Sequence, residues 1–384
     1  AESNVFVTTY GGKAEVELTP SEQLSLFAGM DANFIARNGD RIRTIKIMNG
    51  NPLPMPMVKV DKIWQDSKLD DIGIFAEGKL LARGNSVFTA GIRTDFVNSS
   101  INDPEEDFLE LYGGEIEDQQ DFNVSGNISY LTKWKEVQFQ AAIGRGVRSA
   151  SLIERYINHF NVGQDPYEYV GNPYLDPEVN HQIELSSDYK GLRLDVGGSV
   201  FYSFLTNYIT AVVDEDLPRK YMPMQEPRFA KRFVNVDEAI QTGFELFFNY
   251  YFNEQFSFLS DLSYTYGQNT SLDEPLPLIT PLTAHLAVKF EKTNYWLNLR
   301  SRLVAEQNRV AESFGEVPSP GFATFDFSAG YEPIEGLSVG AAVLNLFDTA
   351  YYEHLNFSYR NSDLLQGRIF EPGRNFTLYV NYSF

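Results

Sequence analysis

Hydrophobic and polar residues alternate along the last eleven residues of the chain, Arg374 to Phe384. One set of alternate positions contains Phe376, Leu378, Val380, Tyr382 and Phe384, and the intervening set contains Asn375, Thr377, Tyr379, Asn381 and Ser383. Side chains on a strand point alternately to opposite faces, so this segment is predicted to be a strand with one apolar, aromatic face. Such strands are typical of outer-membrane barrels, which meet lipid on the outside and water or a plug on the inside.

The same alternation recurs along the chain and predicts about 15 strands. Between Leu192 and Tyr208, one face is expected to meet lipid (Leu194, Val196, Val200, Tyr202) and the other the lumen (Arg193, Asp195, Ser199). Short polar turns alternate with long irregular loops, which is a second feature of these barrels. The predicted turns are 21–23, 83–85, 133–136, 253–255, 292–294 and 333–336, and two of the predicted long loops are 41–66 and 102–120.

These patterns predict an all-β fold, a transmembrane antiparallel β-barrel, with residues 1–384 forming one barrel domain. The sequence contains no run of 18 apolar residues, so it predicts no membrane-spanning helix. The chain has no cysteine, which excludes disulfides, thiolate metal sites and cysteine nucleophiles. Its formal net charge of −21 argues against a nucleic-acid partner, because phosphate contacts need clustered Lys and Arg.

An odd number of strands is unusual, since bacterial single-chain barrels usually have an even number. The first predicted strand also runs into a tight turn, which belongs on the periplasmic side of the membrane. We therefore expect earlier strands of the barrel to precede Ala1, where the sequence shows no signal peptide.

Several local motifs resemble the C-terminal barrel of TonB-dependent outer-membrane receptors, over nearly the whole chain. They are GNPYLDPE at 171–178, GRGVRSASL at 144–152, NLFD at 345–348, Gly367-Arg368 and Pro372-Gly373-Arg374. The resemblance implies the last ~15 strands of a 22-stranded barrel. An N-terminal plug, which the chain lacks, would fill that barrel.

The resemblance also implies a bacterial outer-membrane location, in contact with membrane lipid and lipopolysaccharide. A TonB-type energy-coupling protein would act through the missing plug. The expected activity is capture and gated uptake of a scarce extracellular ligand, without covalent chemistry and without a required cofactor, so the protein is not expected to be an enzyme.

Four of the six methionines lie in two identical tripeptides, Met55-Pro56-Met57 and Met222-Pro223-Met224, and Met48 lies shortly before the first. Thioethers are soft ligands that favour Cu(I) over hard cations. In an extended segment, Met-x-Met places both sulfurs on one side. The alternative interpretation is that these adaptable side chains fill gaps in loop packing.

Among the receptors, the likeness is greatest to the copper-receptor branch, which implies that these methionines hold a copper ion as transported substrate. Met222 and Met224 match a pair of ligand-type positions in an outer loop of that branch, and Met55 or Met57 would supply the other sulfur from the barrel. The branch also uses cysteine and methionine of the plug, neither of which this chain supplies.

Other candidate groups are weaker. His159 is the one histidine considered as a further metal ligand, whereas His181 and His285 are predicted to lie within strands. The acidic residues between Asn102 and Gln120 are interpreted as a solvated outer surface rather than a cation-binding loop. No compact motif assembles a catalytic Ser-His-acid set, although spatial proximity could create one.

Two alternative functions remain at this stage. One is a receptor for an iron-siderophore or other organic ligand, bound by loop aromatics (Tyr156, Tyr167, Tyr169, Tyr221). The other is a passive porin or a surface adhesin. Copper, or a copper chelate, is the preferred ligand because of the paired methionines.

Overall fold

The predicted alternation folds into long strands. A computed structural model describes residues 2–48, 51–82, 85–161, 166–221, 226–356 and 368–383. Its helices are α1 (Glu106–Glu110) and α2 (Leu152–Tyr156), and its strands are β1 (Glu2–Ser21), β2 (Leu24–Met48), β3 (Asn51–Ala82), β4 (Ser86–Asn102), β5 (Gln119–Trp134), β6 (Val137–Arg148), β7 (Tyr169–Val170), β8 (Glu178–Lys190), β9 (Leu194–Pro218), β10 (Phe229–Tyr251), β11 (Phe256–Asn269), β12 (Glu274–Pro275), β13 (Thr283–Lys292), β14 (Tyr295–Val304), β15 (Phe322–Ile334), β16 (Leu337–Leu344) and β17 (Asn375–Tyr382).

The wall is one antiparallel ladder in chain order. Of the 17 strands described, β7 and β12 have only two residues each, which leaves fifteen long strands. β6 pairs directly with β8 and β11 with β13, so the two short strands interrupt the sequence order but not the ladder. The strand count and the all-β fold class predicted from the alternation are confirmed.

The register separates an apolar outer face from a more polar inner face. Val200 on β9 lies between Leu185 of β8 and Phe244 of β10, and its side chain is 50% exposed although it is apolar. Ser199 and Asp195 occupy the intervening positions, as predicted, and Asp195 lies opposite Asn249. On the last strand, Phe376 and Val380 share the outer face with Val343 and Val339 of β16. Phe384 lies outside the described residues.

The two ends of the wall differ. At one end, connections of two to four residues join β1 to β2, β5 to β6, β8 to β9, β10 to β11, β13 to β14 and β15 to β16. These positions agree with the predicted tight turns, apart from Arg83 and Gly84, which lie outside the described residues. At the opposite end, long connections follow β4, β6, β14 and β16. In outer-membrane barrels, short turns face the periplasm and long loops face the exterior.

Two features of the loop end were not predicted. The segment 41–66 was expected to be a loop, and this is wrong: β2 continues to Met48 and β3 begins at Asn51. β-branched residues such as Ile42, Thr44 and Val60 favour strand there, and shifts of register accommodate the prolines. The helices α1 and α2 have five residues each, and no described helix is long and apolar enough to cross a membrane.

Most of the fully buried apolar side chains lie among the long loops rather than in the wall. We call residues 103–118, 149–177, 214–221 and 305–321 the loop cap, as far as they are described. Its main cluster joins Phe108 of α1, Leu152 and Tyr156 of α2, and Leu217 at the end of β9. A second cluster packs Ile157 against Ile63 and Trp64 of β3. The cap is therefore a packed structure that covers one end of the wall.

Position 200 offers a test of the register. Val200→Arg is expected to destabilise the folded barrel, by up to about 4 kcal/mol, the upper value for an arginine at the bilayer midplane, because it places a charge on the lipid face. The matched control is Ser199→Arg, which adds the same side chain one residue earlier on the lumen face and is expected to cost little. Urea unfolding in lipid vesicles measures both, and equal losses would mean that the assignment of faces is wrong.

Candidate ligand site at the loop end of the barrel

The upper ends of β2 and β3 form an extended hairpin that carries three of the predicted metal ligands. We call residues 41–48 and 51–61 the methionine hairpin. Met48 lies opposite Asn51, and Met57 lies opposite Ile45. Met55 is 80% exposed, while Met48 and Met57 are each exposed by about two fifths. All three thioethers therefore lie in contact with solvent at the loop end.

One face of this hairpin contacts the segment that precedes the second methionine pair. Arg43 forms a two-pronged ion pair with Asp61, with Nη2 2.8 Å from Oδ1. The Arg43 guanidinium also lies 4.3 Å from the centre of the Tyr221 ring, and that of Arg41 lies 5.7 Å from it. Ile45, which pairs with Met57, is two residues beyond Arg43 and so on the same face of the strand.

Tyr221 immediately precedes Met222 in the sequence. Residues 222–225, and with them the predicted ligands Met222 and Met224, lie outside the described residues. Burial raises the pKa of the Tyr221 phenol far above its usual value, because removal from water penalises the phenolate. The ring is therefore neutral at physiological pH and receives the two guanidinium groups through its aromatic face.

A buried carboxylate fixes the backbone just before Met222. Glu168 is 1% exposed, and its Oε1 accepts a hydrogen bond of 2.9 Å from the backbone N–H of Tyr221. Its Oε2 accepts one of 2.7 Å from the N–H of Lys220, and the Arg219 Nε lies 3.4 Å from Oε1. A buried carboxylate is stable only with such partners. Glu168 therefore joins two segments of the cap at one point.

His159, the predicted histidine ligand, belongs to the same cluster. Its Nδ1 lies 2.9 Å from Glu168 Oε2, which makes Nδ1–H the donor and the carboxylate the acceptor. The side chain is buried in the cap, and the backbone φ is +47°, as in a tight turn. A metal would have to use Nε2. This contact gives His159 a structural partner in the cap, and its role as a metal ligand stays a prediction.

The acidic loop between β4 and β5 is tied into the cap. Lys220 Nζ lies 2.6 Å from Asp107 Oδ2 and 3.1 Å from Glu105 Oε2. Burial acts to raise the pKa of Asp107, but hydrogen bonds and the charge of Lys220 lower it below its usual value overall. These two carboxylates thus hold the segment before Met222. The other six acidic residues of the loop are exposed, as predicted for a solvated surface (Asp103, Glu106, Glu110, Glu115, Glu117, Asp118).

The four predicted aromatic contacts have different surroundings. Tyr156 is 1% exposed and its hydroxyl lies 3.3 Å from Ser99 Oγ, a placement that does not favour ligand contact. Tyr167 and Tyr169 pack around the buried Lys231, whose Nζ lies 4.5 Å and 5.1 Å from the two ring centres. Tyr169 and Tyr221 both pack against the cluster of Ile63, Trp64 and Ile157, and Tyr221 also contacts the methionine hairpin. The structure therefore does not bring the four together into one pocket.

Spatial proximity does create one Ser-His-acid arrangement. Ser319 Oγ lies 2.9 Å from His354 Nδ1, and His354 Nε2 lies 3.1 Å from Glu316 Oε1. Burial acts to raise the pKa of Glu316, but the hydrogen bonds from His354, Ala311 N–H and Leu278 N–H lower it overall. All three side chains are buried, so the hydroxyl is shielded from dissolved substrates. The arrangement connects the 305–321 loop to the segment after β16.

Within the described parts of the chain, no cluster of three or more His, Asp or Glu side chains is arranged to hold a metal ion. A site for a hard or borderline cation of that composition is therefore absent from these residues. Thioether sulfurs were the ligands that the sequence suggested, and the methionine hairpin exposes them.

Residues 3–346 match the family model described as "TonB dependent receptor-like, beta-barrel". The chain belongs to the TonB-dependent receptor family. The match covers most of the described wall and confirms the resemblance drawn from the local motifs, together with the bacterial outer-membrane location.

Solved structures of receptors superpose on the whole chain. The copper transporter OprC matches 100% of this chain over 57% of its own, with a TM-score of 0.81 and 22% sequence identity. The FrpB iron transporter from Neisseria meningitidis matches 98% of this chain over 55% of its own, with a TM-score of 0.70 and 16% identity. At these identities the likeness shows the fold alone.

A curated relative extends the comparison to sequence. The iron-regulated outer membrane virulence protein of Vibrio cholerae is 27% identical over 185 residues, which is 46% of this chain and 28% of the relative. The chain therefore spans a little more than half of the solved receptors and a smaller part of this relative.

Proposed function

We propose that this chain forms most of the wall of a receptor that takes up copper, or a copper chelate, across the outer membrane. The observation that carries the proposal is the contact between Arg43 of the methionine hairpin and Tyr221, 4.3 Å away. It brings Tyr221, the residue that immediately precedes the second Met-Pro-Met tripeptide, to the hairpin that carries the first, although the two tripeptides are 167 residues apart in the chain (222 − 55).

The chemistry of the residues supports a soft cation. The chain has no cysteine, and Met55 and Met57 are exposed where an ion would arrive from outside. Thioethers hold Cu(I) and bind Mg²⁺ or Ca²⁺ poorly. The acidic net charge of −21 would also raise the local concentration of cations. The superposition on a copper transporter is consistent with this cargo.

Uptake would need the complete receptor. We propose that the ion is captured at the mouth and released inward when a TonB-type coupling protein displaces a plug. Neither capture nor release involves a covalent step in this chain. In this proposal the copper ion is substrate, and the wall needs no resident cofactor. His159 would support the site by orienting Glu168 rather than by binding the ion.

An iron chelate is the second candidate, and one observation favours it. Arg41 and Arg43 both lie over Tyr221, and Arg41 also lies 5.8 Å from the ring centre of Phe160. Guanidinium and aromatic groups together suit a planar, anionic organic ligand. The relatives named for iron are consistent with this alternative.

A titration of the full-length receptor, with its plug, distinguishes the two cargoes. Calorimetry would compare Cu(I), kept reduced with ascorbate, with a ferric catecholate complex at the same concentrations. Copper uptake predicts saturable Cu(I) binding and no heat from the ferric complex. Saturable binding of the ferric complex alone would contradict the copper assignment and favour the alternative.

A further inference from the structure

The outer face of the wall carries a single formal charge in one region. Across the described outward positions of β4, β5, β6, β8 and β9, between Phe88 and Thr206, Arg145 is the only Arg, Lys, Asp or Glu. It is two residues beyond Ile143, which is 54% exposed on this face. It lies opposite Gly126 on β5 and His181 on β8. A charged side chain on the lipid face destabilises a barrel, so we expect Arg145 to have a partner that accepts its hydrogen bonds.

Part of the guanidinium has a structural role. The β5–β6 ladder ends at the pair Gly126–Arg145, and beyond it the backbones of the two strands no longer pair. Arg145 Nη1 donates to the carbonyl oxygen of Val124, two residues past that point. A backbone carbonyl facing hydrocarbon needs such a donor. An arginine side chain has five N–H donors. Within the described residues, the hydrogen bond of Arg145 to Val124 uses one of them, so the other donors can bind a further partner.

The height of Arg145 on the wall matches the upper lipid leaflet. It lies three residues from Arg148 at the loop end of β6, and six residues from Phe139, which belongs with Trp134 and Tyr189 to the aromatic residues of the outer face at the turn end. Such aromatic rows mark the membrane interfaces of barrels. Long cationic side chains reach several ångströms toward the interface from a buried Cα. The guanidinium can therefore reach the level of the lipid headgroups on the exterior side.

The surroundings suit a lipid rather than a free ion. Arg145 and His181 border a depression of about 1100 Å³ whose apolar lining includes Ile143, Ile183 and Tyr202. Both polar side chains are exposed on this face, and Gly126 beside them leaves room for a bulky group. A phosphate at Arg145 would thus have apolar surface next to it for acyl chains.

We propose that Arg145, with His181 beside it, binds a phosphate group of lipid A in the outer leaflet of the membrane. Arginine binds phosphate through paired, charge-assisted hydrogen bonds. The exterior leaflet of this membrane is the one that holds the phosphorylated glycolipid, which is why lipid A is chosen over a phospholipid headgroup. The acyl chains lie in the depression, and the bond to Val124 orients the guanidinium.

The test is lipid binding to the full-length receptor in detergent, measured by native mass spectrometry. Arg145→Gln is expected to weaken binding of bis-phosphorylated lipid A about tenfold, the loss typical of one charge-assisted contact. Lipid A from which both phosphates have been removed should bind equally to the two proteins. Gln retains a donor for Val124, and the shift of the folded band on unheated gels verifies that the variant is folded. His181→Gln is a second variant, expected to cause a smaller loss.

The matched control is Arg300→Gln, which removes a guanidinium from the opposite, inner face of β14 and should leave lipid A binding unchanged. Three results would overturn the proposal. The first is equal affinity of Arg145→Gln and the parent protein for phosphorylated lipid A. The second is an equal loss with the dephosphorylated lipid. The third is an Arg145-dependent preference for phosphatidylglycerol over lipid A.

Discussion

Replacing both Met222 and Met224 by alanine in the full-length receptor is expected to weaken Cu(I) binding by more than about 100-fold. Even the outer partners of a metal ligand account for about 10–100-fold in affinity, and these thioethers are proposed as direct ligands. Competition with a coloured Cu(I) chelator measures the dissociation constant. Affinity should also be nearly equal at pH 5 and pH 7, because thioethers do not titrate whereas a histidine ligand would.

The matched control is Met30→Ala. Met30 lies on the outer face of β2 opposite Ile74 and is 53% exposed, so it is far from any lumenal or loop-end ligand. It is expected to leave Cu(I) binding unchanged. Met55→Ala with Met57→Ala should weaken binding as well, since the hairpin reaches Tyr221. If the Met222/Met224 variant binds copper as tightly as the parent protein, both methionine pairs are loop packing, and the cargo is the organic chelate.

The strands could be predicted because their information is local. Alternation with period two determines which face of β9 or β17 is apolar, and the tight turns are recognisable from their short polar sequences. The prediction of a loop at 41–66 was wrong for the opposite reason. Its prolines suggested a loop, but Pro can occupy positions where the ladder shifts register, and the β-branched residues around it continued the hairpin.

The organisation of the loop cap could not be predicted, because it depends on contacts between segments far apart in the chain. Glu168 contacts residues about 50 positions later, and Lys220 reaches Asp107 across 113 positions (220 − 107). Neither has a local sequence signature. The pairing of Ser319 with His354 is hidden in the same way. A local signal does exist for α2, because Ser151 and Glu154 form the capping box that begins it.

Glu168→Gln is expected to destabilise the loop cap while leaving the wall folded. The carboxylate accepts from two backbone N–H groups and contacts Arg219 and His159, and an amide cannot accept at both of its terminal atoms. Removing one partner of a buried ionic group costs about 3–5 kcal/mol. Because a tenfold change corresponds to about 1.4 kcal/mol, the open form of the cap should become at least about 100-fold more populated.

Limited trypsin digestion reports this opening, since Arg219 is a buried cleavage site inside the cap, and cleavage of a transiently open segment follows its population. The matched control is Glu215→Gln, an exposed glutamate on the same strand end, which should not change the cleavage rate. Cu(I) affinity separates a positioning role from a purely structural one: Glu168→Gln should weaken it, although Glu168 is not proposed to touch the ion. Faster cleavage without any loss of copper affinity would show that the cap does not position Met222, and unchanged cleavage would contradict the role of Glu168 in holding the cap.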